Sequence, residues 1–198
     1  MIPHSTFTSR PTYLSLQPAA GPGRHWLVLQ MGNVSDTLLA ELAQAFAPVQ
    51  ARLHIGWVGA GKAPGTLPGL EPAGPVLALP DLAALKQALA EQPVLVSDRM
   101  YVLGTEPFVW AVADAARLAG WTHEQWHLCH TGSLQRKVWC THCHSITEGV
   151  TTSIVPCAGC GRSLLVRDHF SARHGAFMGV MVDAEVPGVL PQAEEIFP

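Results

Sequence analysis

Apolar residues in the first two thirds of the chain switch repeatedly between strand-length runs and helical spacing. His25–Met31 is a nearly unbroken apolar run that reads as a strand and ends at Gly32 and Asn33. Ser35 follows as an N-cap, with Asp36 placed against the positive end of the helix dipole. Leu38, Leu39, Leu42 and Phe46 then recur at helical spacing until Pro48 ends the helix. A second strand is expected over Ala51–Val58, and the Gly/Pro-dense stretch from Gly59 to Pro75 reads as a loop. Val76–Leu79 makes a short strand, and Asp81 caps a helix that carries Leu82, Leu85 and Leu89 on one face. Pro93 stops that helix, Val94–Val96 reads as extended, and Ser97-Asp98 turns into a strand over Arg99–Leu103. Gly104, Thr105, Glu106 and Pro107 open a helix that runs to Leu118, with Gly120 as its stop. Trp126–Cys129 is the last strand of this region.

Strands alternating with helices through short connections predict a parallel sheet covered by helices. The expected fold class is therefore α/β, with a small doubly wound parallel sheet over residues 25–132. An irregular, proline-rich arm (residues 1–24) precedes it. A four-cysteine zinc-ribbon module is expected over residues 133–166, and a C-terminal docking tail (167–198) resumes apolar alternation before a Pro/Glu-rich end.

Composition narrows the function classes. The chain has 198 residues, 14% charged and 48% hydrophobic, with a formal charge of −3, which describes a globular protein with an apolar surface suited to a partner. No cluster of Lys and Arg supplies the footprint that nucleic acid requires, and no apolar run reaches the length that spans a bilayer. The N-terminus lacks a basic-then-apolar signal design, so a cytoplasmic location is expected.

Two Cys-x-x-Cys pairs, Cys140/Cys143 and Cys157/Cys160, are separated by 13 residues and leave one other cysteine, Cys129. Four thiolates at this spacing can close one tetrahedral site, each pair forming a knuckle and the intervening segment a hairpin. Zinc is the default occupant, and such a site adds folding energy to a module too small for a large core. Iron in the same four thiolates, as in rubredoxin, would make the module an electron relay, and the spacing alone does not separate the metals. Thioredoxin-like redox motifs are the third reading, but neither pair follows a strand and opens a helix. His142 and His144 are expected outside the coordination shell, and Cys129 as a buried apolar residue.

Asp168, His169, Arg173 and His174 are the densest polar cluster outside the cysteines. They read either as a partner-docking or proton-relay group, or as a polar turn that seats the tail through Phe170, Phe177 and Met178. Gly59-Ala-Gly-Lys62 resembles half of a phosphate loop but lacks the glycine spacing and the hydroxyl residue after lysine.

The stretch Met100–Trp121 with Glu124–Leu128 resembles the last strand–helix–strand of the nicotinamide-binding domain of ferredoxin reductases. Leu103 stands where that family carries a thiol near the nicotinamide, and the first strand–helix turn has the single glycine Gly32 instead of a Gly-rich loop. Gly32, Ser35, Gly104 and Thr105 are the candidates for a remaining nucleotide contact. The resemblance implies the fold, and an NADPH-binding reductase fragment is one reading of it.

The reductase-like domain without its nucleotide loop, the four-cysteine knuckle and the run Arg167–Val180 with Asp183-Ala-Glu185 together resemble one bacterial family. It is the DmmA-type small subunit of heme-dependent dimethylamine monooxygenase, an oxidative N-demethylase. The resemblance implies a cytoplasmic multi-subunit complex that uses NADPH and O2 to split dimethylamine into methylamine and formaldehyde. It places heme, FMN and a 2Fe-2S centre on a heme subunit and a flavin/iron–sulfur reductase subunit, and leaves this chain a non-catalytic role as a zinc-containing docking subunit.

Overall fold

The computed structural model describes residues 9–13, 16–61 and 67–198. The first eight residues of the proline-rich arm, its residues 14 and 15, and the lysine of the phosphate-loop-like sequence, Lys62, lie outside the described residues. Contacts divide the chain into two compact units, Tyr13–Gly132 and Ser133–Pro198, the latter joined by residues 9–12.

The first unit is an α/β domain. Its strands β1 (His25–Gln30), β2 (Leu53–Val58), β3 (Leu77–Leu79), β4 (Arg99–Gly104) and β5 (Trp126–His130) pair in parallel in the order β3-β2-β1-β4-β5. Helices α1 (Asp36–Phe46), α2 (Leu82–Ala90) and α3 (Glu106–Leu118) connect them. On one face Leu27, Leu29, Ile55, Tyr101 and Leu103 pack against Leu39, Leu42 and Phe46 of α1. On the other, Val28, Met100 and Val102 pack against Leu85 and Leu89 of α2 and Phe108, Val109 and Val112 of α3. Helices on both faces make the sheet doubly wound, and burial on both faces explains why β1, β2 and β4 read as continuous apolar runs.

Local chemistry sets the helix ends. Ser35 Oγ accepts from Leu38 N (3.3 Å) and Asp81 Oδ1 from Ala84 N (2.9 Å). Two sequence expectations shift. Pro48 continues α1 as a 3-10 segment, Ala47–Arg52, so β2 starts at Leu53 instead of Ala51. Val94–Val96 joins no strand, because Asp98 captures the segment as a turn: Asp98 Oδ2 accepts from Leu95 N, and Asp98 N donates to Leu95 O, each at 2.9 Å. Arg24 Nη2 bonds the same carboxylate at 2.6 Å, which ties the arm to the start of β4.

The second unit is a second five-stranded sheet. Strands β6 (Arg136–Cys140), β7 (Ile146–Val150), β8 (Ile154–Pro156), β9 (Ser163–Ser171) and β10 (Ala176–Met181) lie in the order β7-β6-β10-β9-β8. All pairings are antiparallel except β6 with β10. Val138, Val150, Leu164, Val166, Phe177 and Phe197 form its core with the buried Cys140 and Cys157. Strand β9 runs through residues 166 and 167, where the expected ribbon meets the expected tail, and β10 of the tail is the middle strand. Gly179 explains that central position. A Cβ there would sit 2.6 Å from Val138 Cγ1 and 2.9 Å from Leu164 Cδ1, so only glycine lets β10 slot between β6 and β9.

Candidate metal centre

Each Cys-x-x-Cys pair occupies the turn of a hairpin, the first between β6 and β7 and the second between β8 and β9. The two turns repeat one hydrogen-bond pattern. His144 N donates to Cys140 O (2.9 Å) as Gly161 N donates to Cys157 O (3.0 Å), and Cys140 N donates to Ser145 O (2.9 Å) as Cys157 N donates to Arg162 O (2.8 Å). The residue after each second cysteine is left-handed, with φ of 64° at His144 and 71° at Gly161. Glycine suits that conformation, and His144 is held in it partly by stacking on Trp139, with ring centroids 5.1 Å apart.

The paired turns bring four sulfurs together. All four Sγ atoms lie within 4.8 Å of one another, with Cys140–Cys160 at 3.9 Å and Cys143–Cys157 at 3.5 Å. A tetrahedron with metal–sulfur bonds of about 2.3 Å has edges of roughly 3.8 Å, so the four thiolates fit one tetrahedral ion. Neighbouring donors prepare two of them. Hydrogen bonds from the Ser145 side chain and amide lower the Cys143 thiol to about 6, and the Arg162 amide lowers Cys160. Burial pushes Cys140 up. Lowered thiols reduce the number of protons a metal must displace near neutral pH.

Two residues of this centre carry no signal in the sequence. Ser145 supplies the donors to Cys143, and Gly159 lets the turns approach: a Cβ on Gly159 would lie 2.2 Å from Ser145 Oγ and 3.2 Å from Cys143 Sγ. Across the turns, Ala158 N donates to Thr147 Oγ1 (3.0 Å). The flanking imidazoles turn away from the sulfurs. His142 Nδ1 lies 3.1 Å from Arg162 Nη1, and His144 lies over Trp139. Cys129 is half-buried on β5, and burial raises its thiol pKa.

The polar quartet of the tail is spread apart. Asp168 pairs with Arg10 and with Arg136, the latter at 2.9 Å. The Arg136 guanidinium is itself sandwiched between the rings of Phe177 and Phe197, each 3.7 Å away. Burial would raise the Asp168 carboxyl, but the two arginines hold it below the usual range. His169 Nδ1 meets Ser9 Oγ at 3.2 Å, Arg173 is exposed in the β9–β10 turn, and His174 stacks on Trp139 at 5.1 Å.

The nucleotide candidates lie at the carboxyl ends of β1 and β4, where strand order reverses and α/β sheets of this kind bind ligands. Gly32 is a turn residue with φ of 77°, and Ser35 caps α1. Between Gly104 and Thr105 on one side and β1 on the other stands the Gln30 side chain. Its Oε1 accepts from Thr105 N at 2.7 Å, and a Cβ on Gly104 would sit 2.6 Å from the same oxygen. Gln30 thus uses one of the free amides at the start of α3 that a ligand phosphate would need.

A family model described as the dimethylamine monooxygenase subunit DmmA-like N-terminal domain matches residues 5–125, and the corresponding C-terminal domain matches residues 137–180. The heme-dependent oxidative N-demethylase delta subunit of Ectopseudomonas mendocina (strain ymp) is 34% identical over 122 residues, covering 58% of this chain and 70% of that relative. No solved structure matches.

Proposed function

We propose, from the premise that the chain belongs to the dimethylamine monooxygenase subunit DmmA-like family, that it is an accessory subunit of a heme-dependent oxidative N-demethylase. The observation that carries this reading is the 34% identity to a heme-dependent oxidative N-demethylase delta subunit. Its substrate is then dimethylamine. O2 and NADPH with a proton convert the amine to methylamine and formaldehyde, releasing water and NADP+. Heme, FMN and a 2Fe-2S centre belong to the heme subunit and the flavin/iron–sulfur subunit, in the cytoplasm. No helix among the described residues is long and apolar enough to cross a membrane.

Two features of this chain support a role outside electron transfer from NADPH. Gln30 Oε1 already takes the Thr105 amide at the start of α3, one of the donors a nucleotide phosphate would need there. The four clustered cysteines leave only Cys129, too few thiols for an iron–sulfur cluster of its own. In this reading Cys140, Cys143, Cys157 and Cys160 hold zinc and the metal locks the two hairpins of the second sheet. Metal analysis and absorption spectroscopy of the purified chain test it. The expected protein is colourless, holds one zinc and leaves NADPH unoxidised with an artificial acceptor. A red protein with thiolate-to-iron bands would make it an electron relay instead.

A further inference from the structure

In the α/β domain the two faces of the sheet are covered unequally. Helices α2 and α3 share one face, whereas α1 is the one α-helix packed on the other. Beside α1, over β4 and β5, the cover is the arm: Leu16 is buried there, and Ala19 N donates to Tyr101 Oη at 2.8 Å. An irregular segment fills less depth than a helix about 10 Å across, and a cavity of about 270 Å³ remains. Its floor is Leu103 of β4, Leu42 of α1 and Leu16, all buried. The half-buried Ala45 and Cys129, the latter paired in register with Leu103, continue the apolar lining.

Strongly polar groups are confined to the mouth. Gln17 of the arm and Glu41 of α1 border the cavity, and both residues are exposed. Glu41 has no ion pair among the described residues, and α1 contains no Lys or Arg. No described Lys or Arg lines the cavity either. An apolar floor under a mouth with one carboxylate selects a ligand with an apolar body and a cationic end. A nucleotide phosphate would meet Glu41 and find no cation. Size follows from the volume: about 150 Å³ of apolar cavity holds benzene, so roughly ten non-hydrogen atoms fit here. Leu103 also lies at the carboxyl end of β4, beside the switch point between β1 and β4 where α/β sheets bind ligands.

We propose that this cavity binds a small amphipathic amine. An aromatic or cycloaliphatic body of roughly nine carbons packs against Leu16, Leu42 and Leu103, and the ammonium group meets the Glu41 carboxylate. The site belongs to this chain alone, so its failure would leave the accessory-subunit reading untouched. Neither the cysteine cluster nor the Gln30 crevice takes part in it.

The test titrates the full chain with phenylpropylamine and with its neutral counterpart phenylpropanol, by calorimetry and ligand-observed NMR. The amine should saturate one site with a dissociation constant of roughly 10–100 µM, inside the bounds on binding energy per ligand atom. Phenylpropanol should bind about three- to fivefold more weakly, the size expected for an exposed charge pair. Glu41→Gln, a change at an exposed position, should weaken the amine by the same factor and leave the alcohol unaffected. Ala45→Phe fills the cavity from α1 and Cys129→Leu narrows it from β5, and in variants with wild-type circular dichroism the first should abolish binding and the second reduce it. No saturable binding of the amine at millimolar concentration would overturn the proposal. So would affinity unchanged in a folded Ala45→Phe or Cys129→Leu chain, because the amine would then sit elsewhere. An alcohol bound as tightly as the amine, with Glu41→Gln without effect, would overturn the assignment of an amine ligand.

Discussion

Loss of a single thiolate should unfold the second sheet and spare the first. In Cys157→Ser the set of four sulfurs, two pairs of which lie 3.5 and 3.9 Å apart, is reduced to three. The core of this unit holds six buried apolar side chains besides its cysteines: Val138, Val150, Leu164, Val166, Phe177 and Phe197. At about 1.5–3 kcal/mol each, they contribute roughly 9–18 kcal/mol. A structural zinc contributes about 10–16 kcal/mol, as much as that core. A metal held by these thiolates would also fix the turns that end β6 and start β9, so its loss would free the strands flanking β10. The α/β domain has its own two-faced core and shares none of those side chains. Hydrogen exchange read by mass spectrometry separates the two units. A loss of even about 4 kcal/mol lowers amide protection roughly 1,000-fold. Amides of β6, β9 and β10 should lose protection in Cys157→Ser or after chelation, while β1 and β4 keep theirs. Full protection of β6 and β10 in protein shown to be metal-free would refute the reasoning.

Other perturbations address single contacts. Gly179→Ala forces a methyl against Val138 and Leu164 and should cost about 1–3 kcal/mol, seen as a lower thermal midpoint with metal content unchanged. Burial alone would raise the Asp98 carboxyl, but the Arg24 side chain and the Leu95 and Arg24 amides outweigh it and hold it below the usual range. A depressed folded-state pKa means that this stabilisation is present above the unfolded value of about 3.9 and disappears as pH falls through the folded one. Asp98→Asn should therefore cost roughly 2–3 kcal/mol in urea unfolding at pH 7, below the figure for a fully buried pair because Arg24 is 27% exposed. The gap between variant and wild type should narrow in strong acid, and a gap independent of pH would contradict the assignment. Gln30→Ala leaves Thr105 N without its acceptor and should cost about 1 kcal/mol by thermal denaturation. NADPH at millimolar concentration should give no saturable heat with the wild-type chain, and a clear isotherm would show that the crevice accepts a nucleotide.

Much of the α/β domain was legible because its strands are buried on both faces and its helix ends are marked by local residues. Ser35, Asp81 and Pro107 act within a few residues of where they stand, so spacing alone placed α1, α2 and α3. Val94–Val96 misled for the opposite reason. Its extended character is overridden by Asp98, which collects donors from both the turn and the distant arm. The tail quartet was equally opaque: adjacent residues of a strand face opposite ways, and their partners Ser9, Arg10 and Arg136 come from distant positions.

The sequence by itself determined that four cysteines form one site, because two short turns at fixed spacing are local geometry that any fold must satisfy. Tertiary structure decided what surrounds them. Ser145 and Gly159 matter only where one turn meets the other, and Gln30 matters only where β1 lies beside β4. Ile146, Trp139 and Met178 likewise become neighbours through strand register alone. Sequence spacing records what a residue does to its neighbours in the chain, whereas contacts between strands depend on the pairing order that the whole sheet selects.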